Sequence, residues 1–369
     1  MKTDKKKKRK RGASRARDRT QQAPGLPDEV VIEILVRLPV RSLLRFKSVC
    51  KAWRATISDQ FFVRAQLDRS SARQARHPSF LITPHTLDRD LAGEFTRVCY
   101  FAHCDGLVLA PTDTKLFLFN PATRDAVALP NDNRDVMQQQ GGYYHSAAGL
   151  GLDPRTGKYK VVRSFYRTLD VCSNIYHMGM EVFTVGESGG GGAWREMERD
   201  PPYPVARWQT AGLLRLSLAD EAFGVVDLPD SLDPAFDDSF MLDVLNGELW
   251  LTSRTRWQRR YTIYVSDVCH PMGLLPGDGG LLLWKGYALY RCDLESSEVT
   301  TECEMNGGVR YQGRRARKWK NLFRFNVRPY TESLVRVTGS PALGKFFVLS
   351  LLGEIKEASS SHIKHSCFV

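Results

Sequence analysis

The chain has 369 residues, 42% hydrophobic and 25% charged, the balance of an ordinary globular protein with room for more than one domain. Its net charge of +12 suggests a polyanion binder until the charge is located: residues 1–22 hold eleven Lys or Arg against Asp4 and Asp18, a net +9, leaving about +3 for the other 347 residues. That distribution excludes a uniformly basic surface, and no run approaches the ~18 apolar residues of a membrane span or has the form of a secretory signal. Eight dispersed cysteines fit reduced thiols, so the expected location is nucleus or cytoplasm with no membrane contact.

Residues 1–24 read as a solvated, disordered basic tail. Lys5, Lys6, Lys7, Lys8, Arg9, Lys10 and Arg11 repel one another and have no apolar neighbour to bury. The functional readings are a nuclear-import signal centred on those residues, or weak non-specific contact with nucleic acid. Residues 25–66 then show three short helical patterns. Leu26-Pro27-Asp28-Glu29 opens the first, with proline near the first turn where its missing N–H costs nothing. Val30, Val31, Ile32, Ile34, Leu35, Val36 and Leu38 follow, while Glu29, Glu33 and Arg37 recur every four positions as one narrow polar stripe. Pro39 ends that helix. Ser42 is placed to cap a second helix carrying Leu43, Leu44 and Phe46, and Ser48 a third carrying Cys50, Trp53 and Ile57, with Val49 beside them.

Most of the first helix's circumference is apolar, and a unit of roughly forty residues cannot cover it on two sides. The second cover comes either from the rest of the chain, as in any helical subdomain, or from another polypeptide. The residues favour the latter through a resemblance. The opening Leu26-Pro27-Asp28, Ile34-Leu35 with Leu38-Pro39, Ser42-Leu43-Leu44-Arg45, Val49-Cys50-Lys51-Ala52-Trp53-Arg54 and the pair Phe61-Phe62 together resemble an F-box. The resemblance implies a module that docks onto a Skp-family adaptor, and through it a cullin, in a ubiquitin ligase. On that reading Leu26, Pro27, Ile34, Leu35, Leu38, Leu43, Leu44, Val49, Cys50 and Trp53 supply the Skp-binding surface, without sequence saying which face outward.

Residues 67–97 read as a polar connector that contains a first strand at His77 to Ile82. From 98 to 350 the texture changes to short apolar runs broken by Gly, Asn, Asp and Pro, which predicts an all-β region. Strands are expected at 106–109, 115–119, 126–129, 159–162, 180–183, 224–226, 247–251, 261–265 and 280–284. Several are separated by similar turns: Asn120-Pro121-Ala122-Thr123-Arg124, Asp153-Pro154-Arg155-Thr156-Gly157, Leu218-Ala219-Asp220-Glu221 and Asp293-Leu294-Glu295-Ser296. Asn and Asp at those places favour hairpins because their side chains bond local backbone. About 240 residues at ~40–50 per blade give five or six propeller blades. Residues 351–369 form a tail.

The same region resembles the F-box-associated, kelch-like β domain of plant proteins, through Cys104-Asp105-Gly106-Leu107, the Asn120 turn with Leu129-Pro130, and Gly149-Leu150-Gly151-Leu152-Asp153-Pro154 with Lys158 to Val162. Leu245-Asn246-Gly247-Glu248-Leu249 and Tyr330-Thr331-Glu332-Ser333-Leu334-Val335 extend it. The expected fold is therefore α+β and multidomain: an N-terminal three-helix F-box followed by an all-β, propeller-like domain.

Catalytic patterns are absent from the sequence: no nucleophile elbow, Walker loop, dinucleotide fingerprint or metalloprotease helix. Asp237-Asp238 and His145 read as loop residues, and Cys99, His103 and Cys104, like His362, His365 and Cys367, lack a second ligand pair for zinc. Neither metal nor cofactor is expected. The leading reading is a non-catalytic substrate receptor that binds an unidentified target protein through loops at 131–146, 186–210, 252–260 and 306–320. The alternative is a nuclear nucleic-acid or chromatin-associated protein using the basic arm, with the β domain as scaffold.

Overall fold

The structure, a computed structural model, describes residues 26–76, 79–84, 102–112, 115–130, 148–170, 175–186, 192–202, 213–226, 240–245, 248–253, 270–274, 280–285, 288–296, 298–304, 309–311, 325–337 and 353–355. Four helices come first: α1 (Asp28–Leu35), α2 (Val40–Phe46), α3 (Lys51–Ser58) and α4 (Gln60–Arg76). The expectation was three. The fourth hides in a polar sequence because its buried stripe is partly polar: Phe62, Gln66, Leu67 and Ser70 face inward, and Gln66 Nε2 donates to Ser70 Oγ at 2.8 Å. A hydrophobic period could not show that stripe, so the first ten residues of the expected connector are helix.

The helix ends also differ from expectation. Neither serine caps at an N-terminus. Ser42 lies inside α2, whose first turn opens after Pro39, with Ser42 N and Leu43 N both donating to Pro39 O. Cys50 caps α3 instead, its Sγ accepting from Trp53 N at 3.4 Å, while Ser48 Oγ turns back to Arg45 O. Pro39 therefore starts α2 rather than ending α1, which already stops at Leu35. The polar stripe is as read, closed by a Glu33–Arg37 ion pair at 3.4 Å.

The strands follow in chain order: β1 (Phe80–Pro84), β2 (Ala102–Cys104), β3 (Leu107–Pro111), β4 (Leu116–Asn120), β5 (Asp125–Ala128), β6 (Ala148–Leu152), β7 (Tyr159–Asp170), β8 (Ile175–Thr184), β9 (Arg195–Glu196), β10 (Leu213–Ser217) and β11 (Ala222–Val226). After them come β12 (Phe240–Leu245), β13 (Glu248–Ser253), β14 (His270–Leu274), β15 (Leu281–Lys285), β16 (Ala288–Cys292), β17 (Val299–Glu304), β18 (Val309–Tyr311), β19 (Phe325–Pro329) and β20 (Gly353–Ile355). Three antiparallel sheets of four strands, β2 to β5, β6 to β9 and β14 to β17, run in sequence order, and β10–β11 and β12–β13 are hairpins. First strands of neighbouring sheets touch, β2 against β6 and β12 against β14, which is the arrangement of blades around an axis. β1 pairs with β19, joining an early strand to a late one. The strand expected at 261–265 lies outside the described residues.

The repeated turns share one hydrogen-bond design. Asn120, Asp153 and Asp293 each accept through Oδ1 from the N–H groups two and three residues on. The hydroxyl of Thr123, Thr156 or Ser296 then accepts from the N–H two residues beyond itself. One polar side chain thus replaces the backbone partner that a tight turn lacks. Asp105 (φ 52°) and Gly106 (φ 82°) make a further tight turn, between β2 and β3, in the left-handed region such hairpins require.

Charge joins blade to hairpin. Lys160 Nζ meets Asp153 Oδ2 at 2.9 Å, Glu221 Oε1 at 3.1 Å and Leu218 O at 2.9 Å. The hydrogen bond from Lys160 holds the Asp153 carboxyl well below the usual carboxylate range. Inside the second sheet Arg163 pairs with the buried Glu181 and lies 4.1 Å from the Trp194 ring centroid, and the Trp194 indole N–H donates to Pro130 O of the first sheet's exit.

The α and β parts are fastened by residues 330–337, an extended strap after β19. Leu334 is buried in the same apolar cluster as Leu35, Val40, Leu43, Ile57 and Phe62, with Ala122 of the β4–β5 turn against it. Asn120 is fully buried: its Nδ2 donates to Val335 O at 2.7 Å and Ser333 O at 3.1 Å, and its Oδ1 serves its own turn. Ser333 Oγ donates to Asp105 O at 2.6 Å, over the Gly106 turn where a Cβ would collide with it. Arg73 of α4 bridges Glu332 (3.4 Å) and Arg37 O (2.8 Å), and Arg336 pairs with Asp125.

Two substitutions test this seam by chemical denaturation. Leu334→Ala should lower stability by about 3 kcal/mol, the cost of a buried leucine. Asn120→Asp keeps the turn's acceptor but points a buried carboxylate at two carbonyls, so a loss above about 3 kcal/mol is expected.

Candidate docking face

The helical unit has a sealed side and an open one. Leu35 and Leu43 point into the cluster that Leu334 completes, so of the ten residues expected to bind a partner these two hold the bundle together and offer it no surface. Leu38, Leu44 and Trp53 are half-buried against the cluster, with the Phe46 and Trp53 rings 5.3 Å apart. Leu26 (62% exposed), Pro27, Ile34 (46%), Val49 (60%) and Cys50 face outward.

Sequence reading missed three exposed apolar residues of the helical unit. Val30, Ile32 and Phe61 are also exposed, Phe61 at 86%. Val30 had a legible signal, lying four residues before Ile34 on one stripe of α1. Phe61 did not, because it is half of a pair. Asp59 Oδ1 accepts from Phe61 N at 2.9 Å and Phe62 N at 3.2 Å, fixing the start of α4 so that Phe62 goes in and Phe61 out. Among the described residues, six of the eight exposed large apolar side chains belong to residues 26–61.

The other candidates give no chemistry. His103 Nε2 accepts from Gly106 N at 3.2 Å and its ring lies 5.4 Å from that of Tyr330, so it serves the seam. Burial pushes its pKa down to about 4 and pushes the Cys104 thiol up to about 11, the reverse of a reactive pair. No group of metal-ligating side chains occurs among the described residues, and no helix among them is long and apolar enough to cross a membrane. Cys99, His145, Asp237-Asp238, the run Lys5 to Arg11 and the residues His362, His365 and Cys367 lie outside the described residues. So do most of the four target-facing loops named above.

Comparison with known proteins places these two parts. Residues 24–64 match the F-box domain, and residues 58–214 match the F-box associated beta propeller domain. The F-box protein At2g40925 of Arabidopsis thaliana is 29% identical over 197 residues, 47% of this chain and 46% of that one. The F-box/kelch-repeat protein At4g19930 of the same plant is 28% identical over 209 residues, 49% of this chain and 48% of that one. The match thus spans about half the length of these curated relatives. A solved structure, the extracellular domain of a hybrid two-component system from B. thetaiotaomicron, aligns with a TM-score of 0.29 at 9% identity over 63% of this chain and 39% of that one, too slight a likeness to bear on the fold. The chain thus carries a stretch that matches the F-box domain followed by one that matches the F-box associated beta propeller domain, and the relatives it resembles are plant F-box proteins.

The seam should respond to acid. His103 titrates near 6.5 when unfolded and near 4 when folded, so its contribution is complete above pH ~6.5 and is lost as pH falls toward ~4, up to about 3 kcal/mol. Denaturation between pH 7 and 4 should show a steeper loss in the wild type than in His103→Gln. Equal slopes would show that His103 does not sense pH there.

Proposed function

We propose that this chain is the substrate-recognition subunit of a Skp–cullin–F-box ubiquitin ligase, docking a Skp-family adaptor through the open face of its F-box and holding a target protein with its β domain. The observation that carries the reading is that Leu26, Val30, Ile34, Val49 and Phe61 are exposed on a bundle whose core is already completed by Leu334. Apolar side chains left in water are costly, and a surface this concentrated marks a protein interface. Fully burying five such groups at ~1.5–3 kcal/mol each gives roughly 10 kcal/mol, comparable to the ~4–15 kcal/mol cost of association. Each anchor therefore matters.

The chain's role on this reading is non-catalytic. It raises the local concentration of a target beside the ubiquitin donor carried by other subunits, turning an encounter in solution into one within a complex. Its basic tail, with seven consecutive Lys or Arg from Lys5 to Arg11, suits nuclear import, so the proposed location is the nucleus as well as the cytoplasm.

Leu26→Ala with Pro27→Ala should abolish co-purification of a Skp-family adaptor while the β domain keeps its denaturation midpoint. Undiminished co-purification would refute the docking face. Deleting residues 1–22 should leave adaptor binding intact and shift a fluorescently tagged chain from nucleus to cytoplasm. Loss of salt-dependent nucleic-acid binding, with no change in distribution, would favour a polyanion-binding arm instead.

A further inference from the structure

Beyond the tail, positive charge is dense at 310–324, most of which lies outside the described residues, and in one stretch of the helical unit. Residues 37–54 hold six Lys or Arg and no Asp or Glu, whereas residues 77–369 hold 32 Lys or Arg against 34 Asp or Glu. That stretch is the end of the first helical turn region, α2, the turn at 47–49 and most of the first turn of α3. Arg41, Arg45, Lys51 and Arg54 are exposed, and no carboxylate of the described residues is ion-paired with any of them. The corner is built tightly. Ser48 Oγ donates to Arg45 O at 2.6 Å, Arg54 Nε donates to Lys47 O at 3.1 Å, and Cys50 Sγ accepts from Trp53 N. These bonds fold α3 back on the turn that presents Val49, whose side chain is 60% exposed.

Resting on the adaptor reading above, we infer that this corner is an apolar knob with a cationic rim, made by Val49 with Arg45, Lys51 and Arg54, and that it seats against an acidic-rimmed surface of the adaptor. An interface that covered Val49 with neutral groups would strip water from three cations without replacing it, which charged groups resist. Carboxylates on the partner remove that cost. The chain's own tail cannot serve, because its net +9 repels the rim. A nucleic-acid backbone matches the rim but gives Val49 and its exposed neighbours nothing apolar to bury against. The division of labour follows: the rim sets the association rate and its salt dependence, and the apolar groups set the lifetime of the complex.

The test is stopped-flow or surface association of the full chain with a purified Skp-family adaptor from 50 to 500 mM NaCl. Wild type should associate at least about tenfold faster at the low end. Arg45→Gln with Lys51→Gln should flatten that dependence with little change in dissociation, whereas Val49→Ala should raise the dissociation rate and keep the salt slope. Arg54 is left intact in the double variant because it also braces the turn. The wild-type salt series needs no variant and guards against misfolding. Salt-independent association of wild type would overturn the charged rim while leaving the adaptor reading standing. Absence of adaptor binding at every salt concentration would overturn both. Loss of duplex-oligonucleotide binding in the double variant, with adaptor kinetics unchanged, would assign the rim to nucleic acid and sink the inference.

Discussion

The structure depends on one late segment. Residues 330–337 lie between the helical bundle and the first blade and satisfy both: Leu334 fills the bundle's apolar centre, and the backbone at 333 and 335 accepts the two N–H donors of Asn120. Neither bond is replaceable by water at those sites, because Asn120, Ser333 and Leu334 are all buried. A chain that folded its F-box without this strap would leave a hole where Leu334 sits and three unsatisfied polar groups around Asn120. The pairing of β1 with β19 delivers the strap to its place, since Tyr330 follows directly and its backbone N–H donates to Ser79 O.

That arrangement gives the bundle a direction. Leu334 and Ala122 pack on the bundle's core, and the exposed apolar residues of 26–61 are what it leaves for a partner. The fastening also limits independent movement of the two parts, because ion pairs and hydrogen bonds from Arg64, Arg73 and Arg336 span the seam at several points. A target held by the β domain would therefore be presented at a fixed orientation to whatever the F-box docks on. For a receptor acting by proximity, fixed presentation matters more than affinity alone.

The same turn design is used for different ends. Asn120, Asp153 and Asp293 all close a turn through Oδ1, and the second atom of each head group decides what else it does. The amide nitrogen of Asn120 binds the strap, while the second oxygen of Asp153 binds Lys160. Sequence reading recognised the turns from these residues but treated Asn and Asp as equivalent. Their difference appears only when the long-range partner, a carbonyl or an ammonium, is known. Likewise Ser42 and Ser48 carried the chemistry of helix caps, yet Pro39 and Cys50 stand at the helix starts, because the tight turns between short helices fix where each begins.

The sequence by itself determined the two kinds of domain, the helix stripe of Glu29, Glu33 and Arg37, the places of nine of the twenty described strands and several of the polar turns between them. All are set by residue type and spacing within ten or so positions. It also established that the bundle has more apolar surface than it can cover. Tertiary structure alone decided which of those residues are inside, for Leu35 and Ile34 are neighbours of equal hydrophobicity that differ only in the side of α1 they occupy. It decided too that Leu334, some 290 residues away along the chain, completes the core of the first domain. Burial depends on which distant segment arrives to exclude water, and no local pattern encodes that arrival.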